Sequence, residues 1–300
     1  MLREPIGEYK VGITRYETPL IGEKPYQRAI PMTIFFPSED WTVEAPYQNS
    51  KYQMEALDNG IPEDNGVHTF CGLDVRLTSR IDKFPVILYN HGLTGHEMES
   101  TVLCADLASS GFVVVSVGHP YGAKVVTYPD GRGFINPMPF EEMRHNLKSL
   151  EPLWYEDMCA AIDFLGNLNM SDSDFKGRLL LETLGTVGVS YGGCCGVAAA
   201  LKSDSIKYAV NLDGSMLVHV DYKFINKPVY VMCSPVNVLA RLPLIENGLS
   251  NLKVDKIRKV SHFEFSDGIY FTPKGKQNRE WADRISKGRA ESVINFIRDL

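Results

Sequence analysis

The sequence contains little that would point to a membrane or to nucleic acid. No apolar run approaches the roughly 20 residues that cross a bilayer as a helix. The longest runs, residues 85–89 and 112–117, have the length of strands. Lys and Arg number 31 against 37 Asp and Glu, and no stretch is basic, which argues against a nucleic-acid partner. No apolar segment typical of a secretory signal follows Met1. We therefore expect a cytoplasmic protein without a transmembrane segment.

Cysteine is also scarce, and its spacing excludes the common metal sites. The six cysteines are Cys71, Cys104, Cys159, Cys194, Cys195 and Cys233. None of them has the spacing of metal ligands, and two adjacent cysteines cannot easily form a disulfide within a helix. We interpret them as small buried thiols in a reducing compartment. No cluster of His, Asp and Glu has ligand spacing either, so we expect no metal and no other cofactor.

The order of the predicted elements favours an α/β fold. No repeat, low-complexity tract or linker interrupts the chain, so residues 1–300 are predicted to form a single domain. Residues 8–16 and 28–36 are typical of two antiparallel strands. A long irregular connection over residues 38–83 follows, and we place it beside the site entrance.

Further along the chain, apolar strands alternate with helices. Strands are predicted at 84–90, 112–117, 208–212 and 228–233, and helices at 100–110, 141–167 and 276–300. The first two of these strands are continuously apolar, as parallel strands are. The middle helix is predicted in two pieces, because Pro152 must start or kink a helix.

The stretch Gly-Val-Ser-Tyr-Gly-Gly at residues 188–193 lies where a strand is predicted to turn into a helix. Residues 184–187 before it are typical of a buried strand, and residues 193–201 are small and helix-compatible. Gly-x-Ser-x-Gly in this context is the pattern of the α/β-hydrolase nucleophile elbow. The tight turn strains Ser190 and exposes its hydroxyl, and a Cβ on the neighbouring glycines would clash. We predict an α/β-hydrolase fold, with a mostly parallel sheet flanked by helices and antiparallel N-terminal strands, and Ser190 as nucleophile.

A serine nucleophile needs a base, and in this fold the order is serine, acid, histidine. The histidines after Ser190 are His219 and His262. We predict His262, because it lies between the last predicted strand and the C-terminal helix, where a triad histidine belongs. His91 precedes the serine and is interpreted as a structural histidine beneath the site.

The acid is predicted one strand earlier than in many α/β hydrolases. After the strand that ends at Cys233, the next carboxylate is Glu246, which is too far along. Asp213 directly follows the strand at 208–212, so its side chain is at the carboxyl end of the sheet. We therefore predict that Asp213 fixes the tautomer of the histidine and stabilises its protonated form.

Ester chemistry also requires donors for a developing oxyanion. One is predicted to be the amide of Tyr191, the residue after the nucleophile. The second should come from the loop after the central strand. That loop begins His-Gly-Leu-Thr-Gly at residue 91, and we predict the amide of Leu93, since Gly92 and Gly95 allow the backbone to turn its amides inward.

Several stretches together resemble the platelet-activating-factor acetylhydrolases of the plasma and intracellular type II group and their bacterial esterase relatives. These stretches are residues 31–37, 91–93, 106–114, 188–193, 212–213 and 261–263. The resemblance implies an α/β-hydrolase fold and ester hydrolysis, with the acid after the same strand as Asp213 and oxyanion donors at Leu93 and Tyr191. The sequence departs from the family at Val189, where the family often has His. It also lacks the secretory signal of the plasma member and a myristoylation site at Met1.

We expect a serine carboxylesterase, a carboxylic ester hydrolase acting on a small-molecule ester with a short acyl group. The resemblance extends this expectation to acetylated phospholipids of the platelet-activating-factor type, and thus to lipid degradation. Tyr121, Tyr191 and Phe263 are placed to close the acyl side of the site, and no long apolar insertion separates Asp213 from His262. One alternative is a hydroxycinnamoyl (feruloyl-type) or polyester esterase. The other is an inactive binding protein, which would need a broken triad.

Overall fold

The structure, a computed structural model, describes residues 2–47, 67–172, 174–214, 226–238 and 251–300. Twelve strands are present in these ranges. They are β1 (Lys10–Glu17), β2 (Pro31–Ser38), β3 (Val43–Glu44), β4 (Cys71–Leu73), β5 (Phe84–Asn90), β6 (Val113–Val117), β7 (Val125–Thr127), β8 (Gly133–Ile135), β9 (Leu179–Val189), β10 (Ala209–Leu212), β11 (Val229–Cys233) and β12 (Leu252–Lys256). All except β7 and β8, which pair with each other, belong to one ten-stranded sheet.

Six neighbouring strands of this sheet are parallel. The strand order is β12-β11-β10-β9-β5-β6-β2-β1-β4-β3, and every pair from β12 to β6 runs in the same direction. β2 is antiparallel to both β6 and β1. Because parallel strands end at the same edge, the residues that follow β5, β9, β10 and β11 meet at one side of the sheet.

Helices cover both faces of the sheet. They are α1 (Thr101–Ser109), α2 (Phe140–His145), α3 (Leu147–Ser171), α4 (Ser190–Lys202), α5 (Pro235–Val238), α6 (Gly268–Phe271), α7 (Pro273–Gln277) and α8 (Arg279–Arg298), with a 3-10 helix at His262–Phe265. Of the helices in the described ranges, none is both long and apolar enough to cross a membrane.

The central strand β5 shows how the core is divided between the two faces. Ile87 and Tyr89 pack into the cluster that contains α1 and α8, whereas Val86 and Leu88 pack into the cluster that contains α3 and α4. Successive side chains of a strand point to opposite faces. A strand buried on both faces is therefore continuously apolar, and this pattern made β5 predictable.

The prediction of an α/β fold with a mostly parallel sheet and antiparallel N-terminal strands is confirmed. The short strands β7 and β8 were not predicted. Likewise, β3 and β4 form the edge of the sheet within the stretch predicted to be irregular. These strands have only two or three residues, which is too short for an alternating pattern to be recognised.

The helix predicted in two pieces is present as two helices, but they meet at Asn146 and not at Pro152. The chain breaks at Asn146, between α2 and α3, and α3 continues through Pro152 to Ser171. Leu150 and Trp154, on either side of the proline, are both buried against the sheet. Burying two such side chains stabilises the helix by several kcal/mol (~1.5–3 each), which offsets the ~3 kcal/mol cost of an internal proline.

The end of the chain also differs from the single predicted helix. Two helices, α7 and α8, are separated at Asn278, whose side chain caps α8 by accepting a hydrogen bond from Trp281 N at 2.9 Å. The strand β12, before His262, was not predicted. Its side chains are only partly buried, so the apolar signal of this edge strand is weak.

Candidate active site

Ser190 is the first residue of α4 and follows directly on β9. Its φ of 54° lies in the left-handed region, which is strained for a residue with a side chain. The turn leaves no room for side chains on either glycine. A Cβ at Gly188 would lie 2.6 Å from the carbonyl carbon of Gly192, and one at Gly192 would lie 2.2 Å from the carbonyl oxygen of His91. The serine is therefore held at the carboxyl edge of the sheet, as predicted for an elbow.

A chain of two hydrogen bonds joins the three residues predicted as the triad. His262 Nε2 lies 2.8 Å from Ser190 Oγ, and His262 Nδ1 lies 2.8 Å from Asp213 Oδ2. The Asp213 side chain is fully buried, whereas that of His262 is 41% exposed. With a proton on Nδ1, the imidazole donates to the carboxylate and leaves Nε2 to accept the serine proton.

Asp213 is fixed by backbone and side-chain contacts from the segment after β11. Its Oδ1 accepts a hydrogen bond from Ser234 N at 2.6 Å, and its carbonyl accepts one from Asn237 Nδ2 at 2.9 Å. Because Oδ1 is held in this way, Oδ2 is directed at the imidazole. The contacts from Ser234 and Asn237 were not predicted. The sequence places both near this edge but gives no sign of their partner.

His262 begins the 3-10 helix, which is anchored from both ends. Glu264 accepts a hydrogen bond from Ser261 N at 2.6 Å, as part of a capping box. Arg289 of α8 donates to the carbonyl of Glu264 at 3.0 Å. The histidine thus stands on a segment whose backbone is tied to the C-terminal helix. The alternatives His219 and Glu246 lie outside the described residues.

The loop after β5 is held by hydrogen bonds from the amides on either side of Leu93. Gly92 N donates to Glu99 Oε1 at 2.6 Å, Thr94 N donates to Gly122 O at 2.7 Å, and Gly95 N donates to Gly92 O at 2.9 Å. Within the described ranges, no acceptor is bound to the amide of Leu93. The amide of Tyr191 lies in the first turn of α4, where N–H groups have no intrahelical acceptor. Both predicted oxyanion donors are thus on the segments that meet at Ser190.

A small pocket opens between this loop and His262. It has a volume of about 160 Å³ as far as the described residues enclose it. Its lining includes Leu93, Glu99, Ser190, His262 and Phe263. Of the three bulky residues expected to close the acyl side, Phe263 lines this pocket. The other two face elsewhere: the hydroxyl of Tyr191 donates to Leu147 O, and that of Tyr121 donates to Pro25 O.

Behind residues 91–95, called the oxyanion loop after its predicted role, lies a buried polar cluster that the sequence did not reveal. His119 Nδ1 lies 2.9 Å from Asp157 Oδ2. The other carboxylate oxygen, Asp157 Oδ1, accepts a hydrogen bond from Arg28 Nε at 2.6 Å. The His119 ring stacks on Trp154 with centroids 3.9 Å apart. His91 Nε2 accepts from His119 N at 3.1 Å. This cluster supports the loop from below.

Burial keeps the His91 ring of this cluster uncharged. It lowers the pKa of His91 to about 3, and the neighbouring His119 adds to the effect. His91 is therefore neutral and acts as a hydrogen-bond acceptor for His119 N, in agreement with the structural role predicted for it. The only sequence signal for His119 was its place after the end of β6. Distant residues such as Arg28 and Asp157 meet there only through the fold.

The described residues offer no group of three or more His, Cys, Asp or Glu side chains that could hold a metal ion. No disulfide joins any of the six cysteines.

Comparison with known proteins agrees with this architecture. The family model described as platelet-activating factor acetylhydrolase, isoform II, matches residues 2–130. The predicted resemblance to this family is thus confirmed over the N-terminal part of the chain, which includes the oxyanion loop but ends before Ser190. No curated protein sequence matches the chain. Among solved structures, a ferulic acid esterase from Streptomyces cinnamoneus superposes with a TM-score of 0.77 at 21% identity, covering 98% of this chain and 90% of that one. The fold is that of the α/β hydrolases.

Proposed function

We propose that the protein is a serine carboxylesterase that works through an acyl-enzyme. The observation that supports this most directly is the hydrogen-bonded series Ser190–His262–Asp213 at the carboxyl edge of the sheet, with both bonds at 2.8 Å. A serine hydroxyl is a weak nucleophile unless a base removes its proton. This arrangement supplies the base and the carboxylate that orients it.

The reaction proceeds in two halves. Ser190 Oγ attacks the ester carbonyl while His262 Nε2 takes its proton, and the charge on the carbonyl oxygen is held by the amides of Leu93 and Tyr191. His262 then gives the proton to the departing alcohol, which leaves an acyl group on Ser190. Water repeats the sequence: His262 accepts its proton, the hydroxide attacks the acyl carbon, and Ser190 departs with the proton that His262 returns.

We further propose a short acyl group, such as the acetyl group of platelet-activating-factor-type phospholipids. The pocket of about 160 Å³ beside Ser190 is close in size to the cavity of ~150 Å³ that holds one benzene molecule in an engineered protein. Such a pocket accommodates two to four carbons easily. Phe263, at the rim of this pocket, is 76% exposed, which leaves the side towards solvent open for the alcohol part of the ester.

An acyl-length series tests the substrate proposal. We expect kcat/KM for p-nitrophenyl esters to be highest between acetyl and butyryl and to fall for longer chains. Each methylene that finds an apolar pocket contributes about 0.8 kcal/mol, so a deep tunnel would instead give a rising series. Rates should be measured below the micelle concentration of each ester. A rise that continues to palmitoyl would refute the short-acyl proposal and leave the esterase proposal intact.

A hydroxycinnamoyl esterase is the second candidate, favoured by the structural similarity to a ferulic acid esterase. Methyl ferulate and methyl acetate, which share one leaving group, distinguish the two candidates when compared on the same preparation. If methyl ferulate is hydrolysed with the higher kcat/KM, the aromatic acyl group is the better assignment.

We also expect activity without any added metal. In the proposed mechanism His262 activates the nucleophile and backbone amides hold the oxyanion, so a metal would have no step to perform. The rate of p-nitrophenyl acetate hydrolysis should be unchanged after dialysis against a chelator. A loss that a divalent ion restores would contradict this expectation.

A further inference from the structure

Glu99 places a carboxyl group in the same pocket as the candidate nucleophile and base. It lines the pocket together with Ser190 and His262. The point where a Cβ of Gly92 would stand lies 3.4 Å from Ser190 Cβ and 3.6 Å from Glu99 Oε1. Glu99 Oε1 and Ser190 Cβ thus lie close together around Gly92, so that one added methyl group would contact both. The proposed mechanism gives this carboxyl no role.

Both oxygens of Glu99 contact the oxyanion loop. Oε1 accepts the hydrogen bond from Gly92 N at 2.6 Å. Oε2 occupies the space beside Gly95, where an added Cβ would lie 2.0 Å from it. The hydrogen bond from Gly92 N thus fixes the loop on one side of Leu93, and Oε2 packs beside Gly95 on the other side.

The hydrogen bonds of the oxyanion loop show how Glu99 affects the position of the Leu93 amide. The amides of Gly92, Thr94 and Gly95 are all used in fixing the loop. The contact to Gly92 is the one that comes from a side chain, and it precedes Leu93 by one residue. Since a shift of about 1 Å in a catalytic group can reduce the rate 100-fold, the acceptor on Gly92 N controls where the Leu93 amide points.

The surroundings of Glu99 disfavour its negative charge. Burial raises the pKa of this carboxyl to about 8, and the nearby charge of Asp267 adds to the shift, while hydrogen bonds from Gly92 N and Tyr89 oppose it. The ionisable groups around it are His262, Tyr47, Tyr89, Cys104 and Asp267, with Arg289 behind Asp267. At neutral pH, Glu99 is therefore mainly protonated, and its Oε1 still accepts from Gly92 N.

We propose that Glu99 is a positioning residue that aims the Leu93 amide at the oxyanion. This inference rests on the proposed esterase function. The transition state carries a negative charge on the carbonyl oxygen, and a second negative charge in the same small pocket would oppose it. Activity should therefore be full while Glu99 is neutral and should fall as the pH rises through about 8, the pKa of this carboxyl.

Two substitutions separate position from charge. Glu99→Gln keeps an oxygen that accepts from Gly92 N but cannot ionise. We expect its kcat at pH 7 to stay within about 3-fold of the unmodified protein, because the hydrogen bond is kept, and the decline near pH 8 to disappear. Glu99→Ala removes the acceptor. We expect its kcat to fall about 10-fold to 100-fold at pH 7, less than or equal to the effect of losing an oxyanion donor, with KM changed much less.

The matched control is Glu182→Gln, which removes an exposed carboxyl on β9 far from the pocket. It should leave both kcat and the pH profile unchanged. Thermal unfolding of each variant checks that the protein remains folded, and labelling by a fluorophosphonate probe reports Ser190 independently of turnover. If Glu99→Ala lowers only the melting temperature, Glu99 has a structural role and the proposal is wrong.

The proposal is also overturned if Glu99→Gln retains the decline near pH 8, or if Glu99→Ala has the kcat of the unmodified protein. Failure of the esterase proposal itself would be recognised differently. In that case the unmodified protein would neither hydrolyse p-nitrophenyl acetate nor react with the probe, and no comparison of the Glu99 variants would be needed.

Discussion

Replacing Ser190 with alanine is expected to abolish ester hydrolysis, with kcat reduced by about 10⁶-fold, as for removal of the nucleophile in other serine hydrolases. The hydroxyl accounts for the contact with His262 at 2.8 Å, and alanine offers no atom that can form the acyl-enzyme. A fluorophosphonate probe should label the unmodified protein and spare Ser190→Ala. Turnover of p-nitrophenyl acetate and probe labelling are measured on the same preparations.

A control for this result is Ser205→Ala. Ser205 is exposed and lies after α4, away from the pocket, so its replacement should alter neither labelling nor turnover. Equal labelling of Ser190→Ala and the unmodified protein would mean that another residue is the nucleophile, and the proposed mechanism would then be wrong.

Replacing Asp213 with asparagine is expected to lower kcat by about 10⁴-fold. Oδ1 of Asp213 accepts from Ser234 N at 2.6 Å, so the amide oxygen of asparagine takes that place and its NH₂ group faces His262 Nδ1. An NH₂ group donates, so Nδ1 must become the acceptor and the proton moves to Nε2. The imidazole then donates to Ser190 Oγ and can no longer act as its base. KM should change little, because the carboxylate is buried and does not contact the ester.

The comparison variant for Asp213→Asn is Glu246→Gln, which alters the carboxylate that follows β11. Glu246 lies outside the described residues, and its replacement is expected to leave kcat nearly unchanged. The opposite pattern, a silent Asp213→Asn and an inactive Glu246→Gln, would contradict the assignment of the acid. Both variants should be compared at several pH values, since a wrong tautomer lowers activity across the neutral range.

The parts of this protein that could be predicted from its sequence are those that local chemistry determines. Strand β5 was predicted to its exact bounds, because burial on both faces requires an uninterrupted apolar run. The turn at Ser190 could be predicted because it needs glycines at fixed positions. Asp213 and His262 were predicted from their order along the chain after Ser190, because this order is characteristic of the fold.

What could not be predicted depends on contacts between distant residues. Glu99 reads as an ordinary polar residue before a helix, and nothing near it shows that its carboxyl meets Gly92 N. Arg28 and Asp157 are 129 positions apart, so their ion pair beneath the oxyanion loop exists only in the folded chain. Pro152 shows the opposite failure: a strong local rule was outweighed by the packing of Leu150 and Trp154.

The pairing of β5 with β9 has a consequence for the order in which function is acquired. Asn90, just before the oxyanion loop, pairs with Gly188, just before the nucleophile. The two halves of the reaction centre are thus carried by strands that are neighbours in space but far apart in the chain. Such a long-range contact forms late, because closing a long loop costs entropy before any contact repays it. For the esterase proposed above, a newly made chain would therefore have no hydrolytic activity until its central sheet has closed.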